Sequence, residues 1–207
     1  MGETDATRCF FSDVPTGRVV RWPRRAELAG LACDSYYNAA MGDVETAREE
    51  DIDAVTALLG RCAAHMAEQG NDQWAHGYPT RDNVAADFAA GTLFVRREGA
   101  TIVAAVTVDH NQPAVYATPK FTPAAKVLVI HRLAVEPAMQ GRGIAREMMA
   151  WIEALARRRG CDAIRFDTYS RNARAVRFYE ALGYQRVEGT VRFPLRDDVF
   201  YCFEKMM

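Results

Sequence analysis

The feature that most constrains the fold is a mostly apolar stretch, residues 127–135, that leads through a proline and two glycines into a long amphipathic pattern. The stretch is rich in β-branched residues, which favour a strand, and Pro137 ends it. Over residues 143–159 apolar side chains such as Ile144 recur at helical spacing, and Gly160 stands at the C-terminal boundary. The sequence therefore predicts a strand, a glycine-bearing turn and a helix, in that order.

The elements around this unit predict an α/β protein, in which a mixed sheet is flanked by helices. A short strand near residues 44–47 precedes a helix whose first residues are acidic, and Gly70 ends this helix. Acidic side chains are stabilising at the start of a helix because they lie near the positive end of its dipole. A polar and aromatic loop over residues 71–80 leads to a second short helix near residues 82–90. The further predicted elements are a hairpin of strands 93–97 and 101–109, a strand 163–168, a helix 172–182 and closing strands 184–188 and 199–203.

The first part of the chain follows no such pattern, because prolines and glycines interrupt its apolar residues. We therefore predict a loosely structured N-terminal extension over residues 1–42, followed by one folded domain over residues 43–207. The extension has no uninterrupted apolar core and fits neither a secretory signal nor a transit peptide. A short helix over residues 26–41 is an alternative for part of it, and one hypothesis makes Met41 the natural start of translation.

Composition excludes several classes of partner. The 26 basic and 27 acidic residues give a net charge of -1, so no strong field recruits nucleic acid or an anionic membrane. The apolar runs fall short of the roughly 18 residues that a membrane span needs. Five scattered cysteines without a C-x-x-C pair argue against a zinc site and a disulfide scaffold. We therefore predict a cytoplasmic protein without a metal; the oligomeric state stays open, with a homodimer as one option.

The turn between the strand and the helix carries the chemistry. Gly141 and Gly143 allow the backbone to turn so that several N–H groups converge, and the following helix adds the positive end of its dipole. Such a junction binds an anion such as a pyrophosphate; the alternative is a tight turn in which the glycines only satisfy backbone geometry. Residues 134–145 match neither the G-x-x-x-x-G-K-S/T loop nor the dinucleotide fingerprint G-x-G-x-x-G, which disfavours ATP and NAD.

The same segment resembles the signature of the GNAT superfamily of acyl-coenzyme A-dependent N-acetyltransferases, Q/R-x-x-G-x-G/A. Gln140, Gly143 and Ala145 occupy its three fixed positions. Residues 178–184, FYEALGY, are similar to the family's F-Y-E-x-x-G-F segment, and the order of elements matches from about residue 43 to the end. The resemblance implies a GNAT-like fold, with a central mixed and mostly antiparallel sheet flanked by helices. It also implies direct transfer of an acetyl group from acetyl-coenzyme A (acetyl-CoA) to a primary amine, without a metal or an acyl-enzyme.

The resemblance also implies a set of coenzyme-binding residues. Main-chain N–H groups of the turn would bind the pyrophosphate, and an N–H group of the preceding strand would polarise the thioester carbonyl. Arg142 would add a charge-assisted contact. Asn172 resembles the family's coenzyme-contacting asparagine. The alternative is that it is a helix N-cap, and one residue can serve both roles. The full set is Leu133, Ala134, Val135, Gln140, Gly141, Arg142, Gly143, Ile144, Ala145 and Asn172.

Three residues are candidates for proton transfer. Tyr179 matches the family's general acid, although its helical spacing also suits a core residue. His131 is the first candidate for the base, because strand alternation places it on the same face as Leu133 and leaves Arg132 on the opposite face. Its alternative is a structural histidine. Glu136 is the second candidate for the base, or it caps the turn.

The loop after the first helix is where the family builds its acceptor pocket. Trp74, His76 and Tyr78 are the candidate substrate-binding residues, since aromatic rings hold an amine through cation–π contacts. The alternative is a loop that packs its rings into the core. Tyr116 and Phe121, in another loop, are interpreted as surface cover. The aromatic loop favours a small-molecule amine as acceptor over a protein N-terminus or lysine. The alternative to an enzyme is a regulatory module that binds acyl-CoA without catalysis.

Overall fold

The computed structural model describes residues 44–207. The predicted extension over residues 1–42, the short helix over residues 26–41 and the start at Met41 lie outside the described residues. Among the described helices, none combines the length and apolar character needed to cross a membrane. The same residues contain no cluster of three or more His, Cys, Asp or Glu side chains arranged to hold a metal ion.

The predicted strands and helices are present, with ends that differ by a few residues from the predicted ones. The strands are β1 (Val44–Thr46), β2 (Leu93–Glu98), β3 (Thr101–Asp109), β4 (Val127–Val135), β5 (Ala163–Tyr169), β6 (Gln185–Val191) and β7 (Phe200–Met206). The α-helices are α1 (Ile52–Glu68), α2 (Arg81–Ala89), α3 (Ile144–Arg158) and α4 (Ala173–Ala181).

The seven strands form one sheet in the order β1–β2–β3–β4–β5–β7–β6. Only β4 and β5 run parallel; all other neighbouring strands of this sheet are antiparallel. Parallel neighbours require a crossover connection, and α3 supplies it here. The mixed, mostly antiparallel sheet predicted from the sequence is therefore confirmed.

The helices cover both faces of the sheet. Val103 of β3 belongs to the apolar cluster that buries Met148 and Ile152 of α3. Ile102, the residue before it, belongs to the cluster that buries Leu58 of α1. Because successive strand residues point to opposite faces, α1 and α3 lie on opposite sides of the sheet.

The parallel strands β4 and β5 are joined over only part of their length. Their backbone pairing covers residues 127–129 of β4 and residues 163–165 of β5. Both strands continue beyond these residues, β4 to Val135 and β5 to Tyr169, without pairing to each other. The strands therefore separate toward their C-terminal ends, and this opening positions the candidate site.

A β-bulge alters β4 at the point where the strands separate. Ala134 pairs with Ala105 of β3, whereas His131 pairs with Thr107, so β4 carries one extra residue across this step. Arg132 adopts a left-handed φ of 51° within the bulge. A bulge of this kind breaks the strict alternation of side chains between the two faces of the sheet.

The bulge corrects two predictions about β4. Leu133 packs against the cluster beneath α3. His131 is paired with Thr107, whose hydroxyl donates a hydrogen bond to Asp87 of α2 on the other face. The prediction that His131 and Leu133 share a face is therefore wrong. Arg132 also forms an ion pair with Asp87, so the prediction that it points away from His131 is wrong as well.

Candidate functional site

The glycine turn before α3 has the geometry of an anion site. Gly141 and Gly143 have left-handed φ values of 82° and 90°, and Gly143 is the N-cap residue of α3. No side chain caps this N-terminus, so the first N–H groups of the helix lack a partner from a capping residue. A Cβ atom added to either glycine would meet no atom within 4 Å. The space beside the turn is therefore open.

A groove of about 460 Å³ extends from this turn between the separated strands; we call it the strand groove. The residues that line it include nine of the ten that the family resemblance implied for the coenzyme: Leu133, Ala134, Val135, Gln140, Gly141, Gly143, Ile144, Ala145 and Asn172. The tenth, Arg142, is exposed to solvent and does not line the groove. Arg146 and Arg174 line it instead and contribute positive charge.

Tyr179 both packs in the core and lines the strand groove. Its ring contacts Phe166 with centroids 4.3 Å apart. Burial raises the pKa of the Tyr179 hydroxyl above its ordinary value, and the nearby charge of Asp167 raises it further. At neutral pH the hydroxyl therefore holds its proton, as a general acid must.

Asn172 caps α4. Its side-chain oxygen accepts a hydrogen bond from the Ala175 N–H at 3.1 Å, which confirms the N-cap interpretation. Its Nδ2 atom donates toward Oε1 of Gln73 at 3.4 Å. The cap thus links α4 to the aromatic loop, and Asn172 also lines the strand groove.

A second cavity of about 500 Å³ adjoins the strand groove; we call it the aromatic pocket. The three aromatic-loop residues that were predicted to line one pocket, Trp74, His76 and Tyr78, all line this cavity. Phe193 and Phe200 line it as well. Trp74 is half-buried and also packs against the α1 cluster, as the alternative interpretation of this loop predicted. The two cavities share three lining residues, namely Gln73, Trp74 and Asp167.

His131 lines the aromatic pocket and is oriented by a carboxylate. Its Nε2 atom lies 3.1 Å from Oδ1 of Asp109. A carboxylate only accepts hydrogen bonds, so this contact assigns the proton to Nε2 and leaves the Nδ1 lone pair able to accept a proton. This is the arrangement that a histidine base requires.

Asp167 of β5 is a site residue that sequence reasoning missed. It lines both cavities and accepts a hydrogen bond from the Tyr116 hydroxyl at 2.6 Å. Burial raises the pKa of Asp167 above its ordinary value, although the Tyr116 hydrogen bond and the charge of His131 oppose this shift. The available signal was an acid inside a predicted strand, directly after the aromatic Phe166. Tyr116 is itself buried, so its interpretation as surface cover is wrong.

Glu136, the second candidate for the base, is engaged elsewhere. Its Oε2 atom accepts hydrogen bonds from Nε and Nη2 of Arg61 at 2.9 and 2.7 Å. It gives no side-chain cap to the short 3-10 helix that follows it. Glu136 lines neither the strand groove nor the aromatic pocket.

Backbone strain concentrates at the aromatic pocket. Among the described residues, the non-glycine positions with left-handed φ are His76, Arg132 and Leu195, at 56°, 51° and 61°. All three line this pocket. Residues held in sparsely populated backbone conformations cluster at ligand sites, so this observation makes the aromatic pocket a candidate binding site.

Comparison with known proteins identifies the family. The model of the GNAT acetyltransferase family matches residues 55–184. The uncharacterized N-acetyltransferase YesJ of Bacillus subtilis (strain 168) is 22% identical over 152 residues, which are 66% of this chain and 77% of that protein. A GNAT-family acetyltransferase structure from Streptococcus agalactiae 2603 is 26% identical and has a TM-score of 0.69, covering 80% of this chain and 95% of that one. The structure of yncA from Salmonella typhimurium, with its cofactor acetyl-CoA, is 17% identical and has a TM-score of 0.59, covering 79% of this chain and 92% of that one. Since the family model spans more than half of the chain, the protein belongs to the GNAT family of acetyltransferases and is an acyltransferase.

Proposed function

We propose that the enzyme transfers an acetyl group from acetyl-CoA to the primary amine of a small molecule. The observation that carries this proposal is the junction of the two cavities at Gln73, Trp74 and Asp167. A coenzyme in the strand groove and an amine in the aromatic pocket would bring their reacting atoms together at this junction.

The strand groove suits the coenzyme in shape and charge. The open glycine turn and the uncapped N-terminus of α3 offer N–H groups to a pyrophosphate. Leu133 lies in the part of β4 that is not paired with β5, so the strand edge is available to an extended ligand. The fold shared with yncA, whose structure contains acetyl-CoA, supports this assignment.

The aromatic pocket suits an amine that must lose a proton. An ammonium group has a pKa near 10 and attacks only after deprotonation. His131 takes this proton on Nδ1, and Asp109 stabilises the imidazolium that results. Asp167 lies at the junction beside this amine, because it lines both cavities, and its carboxyl oxygens can accept a hydrogen bond from the amine.

Acetyl-CoA supplies a thioester, whose carbonyl carbon forms a bond to the amine nitrogen while its bond to sulfur breaks. Tyr179 donates the proton that the departing sulfur requires, since its hydroxyl stays protonated at neutral pH. The products are an amide and the free thiol of the coenzyme. No covalent enzyme intermediate is needed.

The size of the pocket supports a small acceptor over a protein. A volume of about 500 Å³ with aromatic walls is in the usual range of small-molecule sites. Arg196, in the segment between β6 and β7, donates hydrogen bonds to the carbonyls of Gln73 and Ala75, so two loops are tied together at this pocket. A protein acceptor would require a more open surface.

The test is release of the coenzyme thiol from acetyl-CoA across a panel of amines, amino acids and peptides. We expect saturable release with small amines above the rate without an acceptor. Preferential release with peptides would identify a protein acetyltransferase instead. Binding of acetyl-CoA without release for any acceptor would indicate a regulatory module and overturn the proposal.

A further inference from the structure

A half-buried arginine lines the aromatic pocket from the segment between β6 and β7. Arg196 donates hydrogen bonds from Nε to the carbonyl of Gln73 at 2.8 Å, from Nη1 to that of Leu195 at 2.9 Å and from Nη2 to that of Ala75 at 3.2 Å. These acceptors are all uncharged main-chain oxygens. Within residues 44–207, this guanidinium makes no ion pair with a carboxylate, so its charge has no direct partner among the described side chains.

The other arginine of the pocket is different. Arg132 donates to both carboxylate oxygens of Asp87, and its Nη1 atom donates to the Tyr78 hydroxyl. Its charge is therefore neutralised within the protein. Among the residues that line the pocket, Asp167 contributes the one carboxylate, at the junction with the strand groove. The pocket thus presents to the same ligand a guanidinium without a direct carboxylate partner and the carboxyl group of Asp167.

A guanidinium carries five N–H donors in a planar fork that matches a carboxylate. Three of them bind main-chain carbonyls, which leaves the remainder for a ligand. We propose that the acceptor is a small amine that also bears a carboxylate, as an amino acid does, with Arg196 binding the carboxylate while Asp167 and His131 face the amine. This inference rests on the proposed function, because it specifies the substrate class of the same pocket.

Arg196 also ties two loops together, and this second role predicts a different result. A residue that only fixes the loops affects every acceptor in the same way. A residue that binds the carboxylate affects acids and leaves amines without a carboxylate unchanged. Matched pairs of ligands that differ only in this group therefore separate the two roles.

The experiment measures binding by calorimetry to the full chain saturated with coenzyme A, which provides the bound coenzyme without a reactive thioester. The standard amino acids are screened first, and those that bind are compared with the amines that lack their carboxylate, such as phenylalanine with 2-phenylethylamine. We expect the acid to bind more tightly than its amine. Arg196→Gln should weaken the acid about tenfold to a hundredfold, the usual range for a hydrogen bond to a charged group, and leave the amine within about twofold.

Two further variants complete the design. Arg196→Lys keeps the charge without the fork and should lose less affinity for the acid than Arg196→Gln. Arg192→Gln removes an exposed arginine of the same segment that does not line the pocket, and it should bind every ligand as the wild type does. Thermal unfolding of each variant verifies that it is folded.

The outcomes separate the inference from the proposed function. Equal weakening of acids and amines, or no binding by any amino acid, overturns the inference. The inference is also overturned if amines that lack a carboxylate support thiol release at the same rate as the matching amino acids. In that case the acetyltransferase proposal stands. Arg196-dependent binding of acids without thiol release for any acceptor supports the carboxylate contact and overturns the proposed function.

Discussion

Substitution of Gly143 tests whether the turn before α3 holds the coenzyme. Gly143 has a φ of 90°, and an alanine in the left-handed region costs about 1–2 kcal/mol. An added Cβ would meet no atom within 4 Å, so the cost comes from the backbone and not from a clash. A turn that relaxes to relieve this strain no longer directs its N–H groups to one point. Loss of one hydrogen bond to a phosphate would weaken binding about tenfold to a hundredfold.

Gly99→Ala is the matched control for Gly143→Ala. Gly99 lies between β2 and β3, has a left-handed φ of 61° and also has no atom within 4 Å of an added Cβ, but it does not line the strand groove. Chemical denaturation should show a loss of about 1–2 kcal/mol in the free energy of unfolding for both variants. Calorimetry with acetyl-CoA should show weaker binding for Gly143→Ala alone. Wild-type affinity in Gly143→Ala would refute the assignment of the turn as the phosphate site.

Three further substitutions test the proton-transfer residues. Tyr179→Phe should lower kcat about a hundredfold or more, the usual contribution of a general acid, with little change in KM for acetyl-CoA; a fully active variant returns Tyr179 to a purely structural role. His131→Asn should move the alkaline rise of the pH–rate profile, and an unchanged profile excludes His131 as the base. Tyr116→Phe removes a hydrogen bond that lowers the pKa of Asp167, so this pKa should rise further above its ordinary value. Because a carboxyl group with a raised pKa destabilises the folded state as the pH rises from its unfolded pKa of about 4 to its folded pKa, the variant should continue to lose unfolding free energy at pH values where the wild-type curve has levelled off. Parallel stability curves for the two proteins would contradict that account.

The order of elements could be predicted because its signals are local. Residues 127–135 are mostly apolar and rich in β-branched side chains, and β4 begins and ends at those residues. The helical spacing after Gly143 likewise marks α3. The bulge in β4 could not be predicted, because a bulge is defined by the pairing of β4 with β3. The sequence of β4 alone does not show which residue of β3 lies opposite each of its own residues. The face assigned to His131 was therefore wrong.

The glycine turn could be found from one short segment, but the junction of the cavities could not. Asp167 and Tyr116 are 51 residues apart and meet only when β5 packs against the loop before β4. Arg196 lies in a segment without periodicity and contacts the loop around Gln73, 123 residues earlier. Contacts of this kind arise from the tertiary fold and leave no local pattern. Trp74 was found because its loop concentrates aromatic and polar residues directly after a helix.

The central claim is that coenzyme and acceptor meet where the strand groove joins the aromatic pocket. A crystal structure of the enzyme with acetyl-CoA tests this claim most directly. We predict that the pyrophosphate lies within hydrogen-bond distance of the N–H groups of residues 141–145 and that the thioester lies beside Tyr179 and Asp167. A coenzyme bound outside the strand groove, or one whose thioester points away from the aromatic pocket, would contradict the account.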